Sequence, residues 1–140
     1  MKCLTYKFNE LKEYRFVVIF AQYKNQWIVC KHKNKTTWQT AGGRIETGEE
    51  PIEAAKRELY EETGALDFSI KPICDYWAGN DNQETNECLN GQVYFAIVNE
   101  LGEIPIDSEI EYIKLFDEFP DNLTYPEITY ELLPKVISRI

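Results

Sequence analysis

Residues 50–63 read EPIEAAKRELYEET, a helix whose two ends are marked in the sequence. Pro51 suits the first helical position, where its missing N–H leaves no bond unmade, and Gly64 stands just past the last turn. Glu58, Glu61 and Glu62 then fall in one arc, because residues three and four apart are neighbours on a helix. Ile52, Ala55 and Leu59 occupy the adjoining arc and must face a core, so the carboxylates lie along the border of buried structure. Ala54, in the acidic arc, is expected to leave space above it. Glu50 stands where Ser, Thr, Asp or Asn would cap better, so packing is expected to hold this end of the helix.

Three like charges on one face repel unless something compensates them. A solvated glutamate face is the bland explanation; a hard divalent cation is the functional one. The rest of the sequence limits which cation. His32 is the single histidine, and Cys3, Cys30, Cys74 and Cys88 have no CxxC pairing or short Cys/His spacing, so a zinc site is not expected. Oxygen ligands favour Mg²⁺, Mn²⁺ or Ca²⁺. A net charge of −9 argues against nucleic acid bound through its phosphates, yet permits a polyphosphate neutralised by cations. With 140 residues, 44% of them hydrophobic, one domain over 1–140 is expected. No apolar run approaches the ~20 residues of a membrane span, and the start has no signal-peptide core, which predicts a cytoplasmic protein.

Around the helix, residues 15–23 and 26–31 are rich in Val, Ile, Phe and Trp and flank Lys24-Asn25, which predicts a β-hairpin. Residues 3–8 suggest an edge strand, and 68–76, 92–98 and 109–116 further strands. Ala41-Gly42-Gly43 reads as a loop open to close approach by a ligand, and residues 79–91 as a long polar loop. From Pro126 onward Ile128, Leu132, Val136 and Ile140 predict a helix that Pro134 should kink or split. Strands on both sides of a central helix, with a second helix at the end, point to an α/β/α layered domain.

From Gly43 the chain runs five residues to Glu49, seven more to Arg57-Glu58-Leu59, one to Glu61-Glu62 and one to Gly64-Ala65. This closely resembles the signature of the Nudix hydrolases. Eight of its nine fixed positions match; Ala65 stands where a larger aliphatic is usual, and Ala41 where proline is common. The resemblance implies an α/β/α sandwich around a mixed sheet, and an enzyme that cleaves a diphosphate linked to a nucleoside by attack of water on phosphorus. It implies Glu58, Glu61 and Glu62 as metal ligands or general base, with Glu58 the preferred base, and a Gly43 backbone carbonyl to the metal, Mg²⁺ or Mn²⁺. Arg57 and Glu49 would pair to orient the helix, a role as much structural as functional.

Other candidates carry weaker signals. Lys31, His32, Lys33 and Lys35 form a basic run before the glycines that could meet phosphate, although a solvated strand end is the more ordinary reading. Trp38, Trp77 and Phe95 could stack on a base or pack in a core. Asn82 and its amide neighbours in the 79–91 loop could read a base edge. Lys33, Trp38, Arg44 and Asn82 are thus the candidate substrate contacts, and Glu109 an additional metal ligand, from a region where some relatives supply one. The leading expectation is a MutT-type nucleoside triphosphate pyrophosphohydrolase, acting on a small nucleotide, with oxidised nucleotides among the candidates. Hydrolysis of ADP-ribose or dinucleoside polyphosphates is the alternative, and a non-catalytic nucleotide sensor a third. The expected partner is that nucleotide alone, without nucleic acid or membrane; a homodimer is open.

Overall fold

Alternation of apolar side chains decides the architecture. In β2 (Phe16–Tyr23), Val17, Ile19 and Ala21 point to one face of the sheet, while Phe16, Val18 and Phe20 point to the other. In β3 (Gln26–His32), Ile28 and Cys30 share the first face, and Trp27 and Val29 the second. Both faces are therefore apolar, and a helix covers each. The computed structural model describes residues 1–80 and 89–140.

The remaining strands are β1 (Lys2–Tyr6), β4 (Trp38–Gln39), β5 (Ala41–Arg44), β6 (Ala65–Gly79), β7 (Asn90–Leu101) and β8 (Ile110–Phe116). Helix α1 (Pro51–Thr63) packs Ala54, Ala55 and Leu59 onto the first face, and α2 (Pro126–Ile137) packs Leu132 and Val136 onto the second. The sheet is mixed. Its order is β1-β6-β7-β2-β3-β4, with β2 and β7 parallel and the other pairs antiparallel, and β8 adds to β3. Among the described residues no helix is long and apolar enough to cross a membrane.

The sheet forks at β2. Its first half, Phe16 to Ile19, pairs with β5, whereas Gln22 and Tyr23 at its far end pair with β3. Between the two branches the sheet opens.

Several expectations need correcting. Ala41-Gly42-Gly43 is a strand and not a loop, and Ala41 is buried against the sheet beside Ile19. An ideal Cβ at Gly42 would sit 2.5 Å from the Val17 carbonyl oxygen, so the glycine serves strand packing. Ala54 is fully buried in the first core and leaves no open space. The start of α1 is better capped than Glu50 suggested, because the Glu53 carboxylate accepts the Glu50 backbone N–H at 3.0 Å in a capping box. Pro134 does not split α2. The helix ends three residues later, and Tyr130, whose carbonyl loses its partner, is solvent-exposed.

Candidate active site

Arg57 organises the acidic face of α1. Its Nε and Nη2 donate to the two Glu49 oxygens at 2.7 and 2.9 Å, a bidentate pairing that suits a planar guanidinium. Nη1 donates to Glu58 at 2.8 Å and to Glu61 at 3.3 Å, and Nη2 also reaches the Arg44 carbonyl at 3.0 Å. One cation thus ties the helix to β5 and to the Glu46–Glu49 turn.

Glu49 feels this most. Its hydrogen bonds from Arg57, with a further one from the Glu46 backbone N–H, hold its carboxyl down at about 2. A depressed folded-state value stabilises the protein above the ordinary 4.5, and the gain is lost as pH falls toward 2. Glu49→Gln is therefore expected to lower the melting temperature at pH 7. It should also flatten the acid limb between about pH 4.5 and 2; an unchanged acid limb in thermal melts would refute the coupling.

Glu58 and Glu62 occupy the opposite electrostatic situation. Burial raises both, against the lowering effect of Arg57 on Glu58 and of the Gly42 backbone N–H, 2.9 Å away, on Glu62. Glu62 is pushed up to about 8, with the charges of Glu58, Glu109 and Glu61 adding to desolvation. These are hard oxygen donors that repel one another, and such a set fits a hard divalent cation. Among the described residues no three ligating side chains already close on one point, since Arg57 holds Glu58 and Glu61.

Gly43 explains how a carboxylate comes so near the sheet. An ideal Cβ there would lie 2.6 Å from the Glu58 carboxyl carbon. Gly43→Ala is expected to displace the Glu58 carboxylate, a flexible end that can swing, and to lower turnover by at least ~10-fold with little change in melting temperature. Wild-type turnover in that variant would show that the close approach is not needed.

A cavity of about 480 Å³ opens at the fork, lined by Gly43, Glu62 and Glu109 together with Phe16, Val18, Tyr76, Tyr125 and Ile128. Glu62 comes from α1 and Ile128 from α2, on opposite faces of the sheet, so the cavity passes through the sheet plane. One end is acidic and the other largely apolar.

Not every predicted residue reaches it. Lys33 is exposed and lies outside the lining, where its backbone N–H donates to the Glu109 carbonyl at 2.9 Å; Lys35 and His32 are the basic residues that line the cavity. Trp38 packs edge-on against Tyr112 and Phe116, with ring centroids 5.9 and 5.4 Å away, and Phe95 is buried against Trp27. Trp77 is half-buried on β6; neither it, Trp38 nor Phe95 lines the cavity. Arg44 is exposed, its guanidinium 5.5 Å from the Phe16 ring centroid. Asn82 lies outside the described residues. Glu109 stands 3.6 Å from His32 Nε2, with a largely exposed side chain. Sequence reasoning missed Tyr125, Thr129 and Tyr76. Only Thr129 carried a sign, as a polar residue beside the Ile128–Leu132 stripe.

An arginine-clamped glutamate helix beside a half-apolar cavity is the equipment of a hydrolase that cleaves phosphoanhydrides. Residues 11–132 match the family described as NUDIX domain. The chain belongs to that family and is a Nudix hydrolase acting on diphosphate bonds. It is 30% identical over 145 aligned positions to an RNA pyrophosphohydrolase of Bartonella henselae, covering 89% of this chain and 84% of the relative. A candidate 8-oxo-dGTP diphosphatase of Bacillus subtilis, YtkD, is 28% identical over 110 positions, covering 79% and 66%. The fold is similar to that of the pyrophosphohydrolase BsRppH of Bacillus subtilis, with a TM-score of 0.78 over 98% of this chain and 90% of that one, at 22% identity.

Proposed function

We propose that residues 1–140 work as one unit that hydrolyses a nucleoside 5′-triphosphate to the monophosphate and pyrophosphate, with the nucleoside in the apolar part of the fork cavity. The observation that carries this is the meeting of Glu62, Gly43 and Glu109 with Phe16, Tyr76 and Tyr125 in one cavity. It supplies an acidic end for cation-bound phosphates and an aromatic end for a base. Glu62, Glu61 and the Gly43 carbonyl would hold Mg²⁺ or Mn²⁺, with Glu109 as an outer ligand. When bound, the cation neutralises the polyphosphate and lowers the pKa of a bound water. Glu58 accepts the proton of the attacking water, and Arg57 keeps that carboxylate in place with Glu49 as its anchor. A raised carboxyl suits a base working near neutrality.

The triphosphate has two sources. A free nucleotide fits the chain's strong negative charge. The 5′ end of an RNA is the second reading, favoured by the name of the Bartonella relative. Purified protein with Mg²⁺, offered free nucleotides, 8-oxo-dGTP and a 5′-triphosphorylated oligonucleotide, is expected to release pyrophosphate and leave a monophosphate. Release of inorganic phosphate alone, or no cleavage of any triphosphate alongside cleavage of ADP-ribose, would replace this substrate class.

A further inference from the structure

A second cavity, of about 520 Å³, lies between β1 and the C-terminal end of α2. Lys7, Lys135 and Arg139 line it, with Glu10 the one carboxylate side chain among the described lining residues. Lys71 stands beside it, its Nζ donating to the Arg139 carbonyl at 2.6 Å. All four cations are exposed, and none forms an ion pair with a carboxylate among the described residues. Arg139, Lys135 and Cys74 line the same cavity; burial pushes the Cys74 thiol up to about 11, and the two cations only partly offset that rise. In a chain of net charge −9 with 15 Lys and Arg, three lining cations against the single carboxylate of Glu10, with Lys71 beside them, are a local reversal of sign. Complementing the α2 dipole accounts for Lys135 and Arg139 at the helix end. It does not account for Lys7, just past β1, or Lys71 on β6.

The position of this cavity relates it to the fork. Both are strung along the same two elements: Met1, Ile128 and Thr129 line the fork cavity, and Thr5, Lys7, Lys135 and Arg139 line the basic one. From Thr129 to Lys135 is about 9 Å along a helix. From Met1 to Thr5 is about 13 Å along a strand. A stacked strand of nucleic acid carries a phosphate about every 3.4 Å, so this separation corresponds to about three or four phosphates.

We propose that the Lys7–Lys135–Arg139 cavity binds backbone phosphates of a single-stranded RNA whose 5′-triphosphate end occupies the fork cavity. The inference rests on the RNA-end reading of the substrate. It reconciles that reading with the acidic composition: the backbone phosphates meet the basic groove, and the triphosphate meets the acidic end of the fork through the cations it carries.

The test uses the full chain and a fluorescent 5′-hydroxyl oligoribonucleotide, which carries backbone phosphates and no triphosphate. Combining Lys7→Gln, Lys135→Gln and Arg139→Gln should weaken binding by about tenfold in anisotropy titrations. It should also reduce the slope of log affinity against log salt by about two. Pairing Lys7→Arg with Lys135→Arg should retain binding, and turnover of a free nucleoside triphosphate should be unchanged in both variants. Equal oligonucleotide binding by wild type and the triple Gln variant overturns the proposal. Displacement of the oligonucleotide by inorganic phosphate or a mononucleotide at comparable concentration also overturns it, and points to a small-phosphate site. If the wild type binds the oligonucleotide through these residues but does not cleave its 5′-triphosphorylated form, the basic groove stands and the RNA-end reading of the fork cavity fails.

Discussion

Glu62→Gln is expected to cut turnover by about 10²- to 10⁴-fold while making the cation-free protein melt higher. The two effects have one cause. Glu62 is 7% exposed, surrounded by like charges, and has one described donor to its side chain, the Gly42 N–H. Gln keeps an oxygen for that N–H and removes a carboxylate that burial opposes. Because the folded-state value is raised to about 8, the wild type is least burdened below the ordinary 4.5 and loses stability as pH climbs toward 8. In chelator the variant should therefore gain about 1 kcal/mol, or roughly 3 °C, near pH 8, and nothing near pH 4. Added Mg²⁺ should raise the melting temperature of the wild type more than that of the variant. Wild-type turnover in Glu62→Gln would remove this residue from the chemistry.

Arg57→Ala acts in the opposite direction on stability. It leaves Glu49, Glu58 and Glu61 without the donor they share and frees the Arg44 carbonyl. Hydrogen bonds to charged groups are worth about 1.5–3 kcal/mol, and Arg57 is 22% exposed, so a net loss of about 2–3 kcal/mol is expected for the whole network. Turnover should fall by about 10²-fold with KM little changed, because the guanidinium is engaged by Glu49, Glu58 and Glu61 and acts by positioning Glu58. Arg57→Lys should recover part of the stability and little of the rate, since a single ammonium cannot match the bidentate Glu49 contact and reach Glu58 together. A variant that raises KM and spares kcat would assign Arg57 to substrate binding instead.

What the sequence made legible was local. The extent of α1 and the shared arc of its carboxylates follow from its end signals and helix periodicity, and the Arg57–Glu49 juxtaposition was implied by the family resemblance that 23 consecutive residues carry. The capping box was also readable, as Glu50 followed three positions later by Glu53, once glutamate is admitted as a capping residue. The fork was not, because it depends on which strand lies beside each half of β2, a choice made by partners far along the chain. For the same reason the two glycines read as a loop: a paired AGGR strand has too little side-chain pattern to announce itself. Trp38 could not be separated from a stacking platform until Tyr112 and Phe116 were seen against its ring. The basic groove joins residues 7, 71, 135 and 139, a cluster that no linear run of charge displays.

The parallel pairing at the centre of the sheet also bears on how the enzyme is made. Phe16 lies beside Gly91 and Tyr23 beside Val98, so every partner in this ladder is 75 positions away, with α1 and all of β6 in the intervening chain. Closing so long a loop has to precede the contacts that reward it, and folding slows accordingly. Tyr76 and Ala78 of the fork cavity's lining lie on β6, which reaches β2 only through β7, so the cavity is complete only after this ladder has closed. During refolding, helical signal should recover first and enzymatic activity last, and a nascent chain halted before residue 90 would carry the whole glutamate motif yet remain inert.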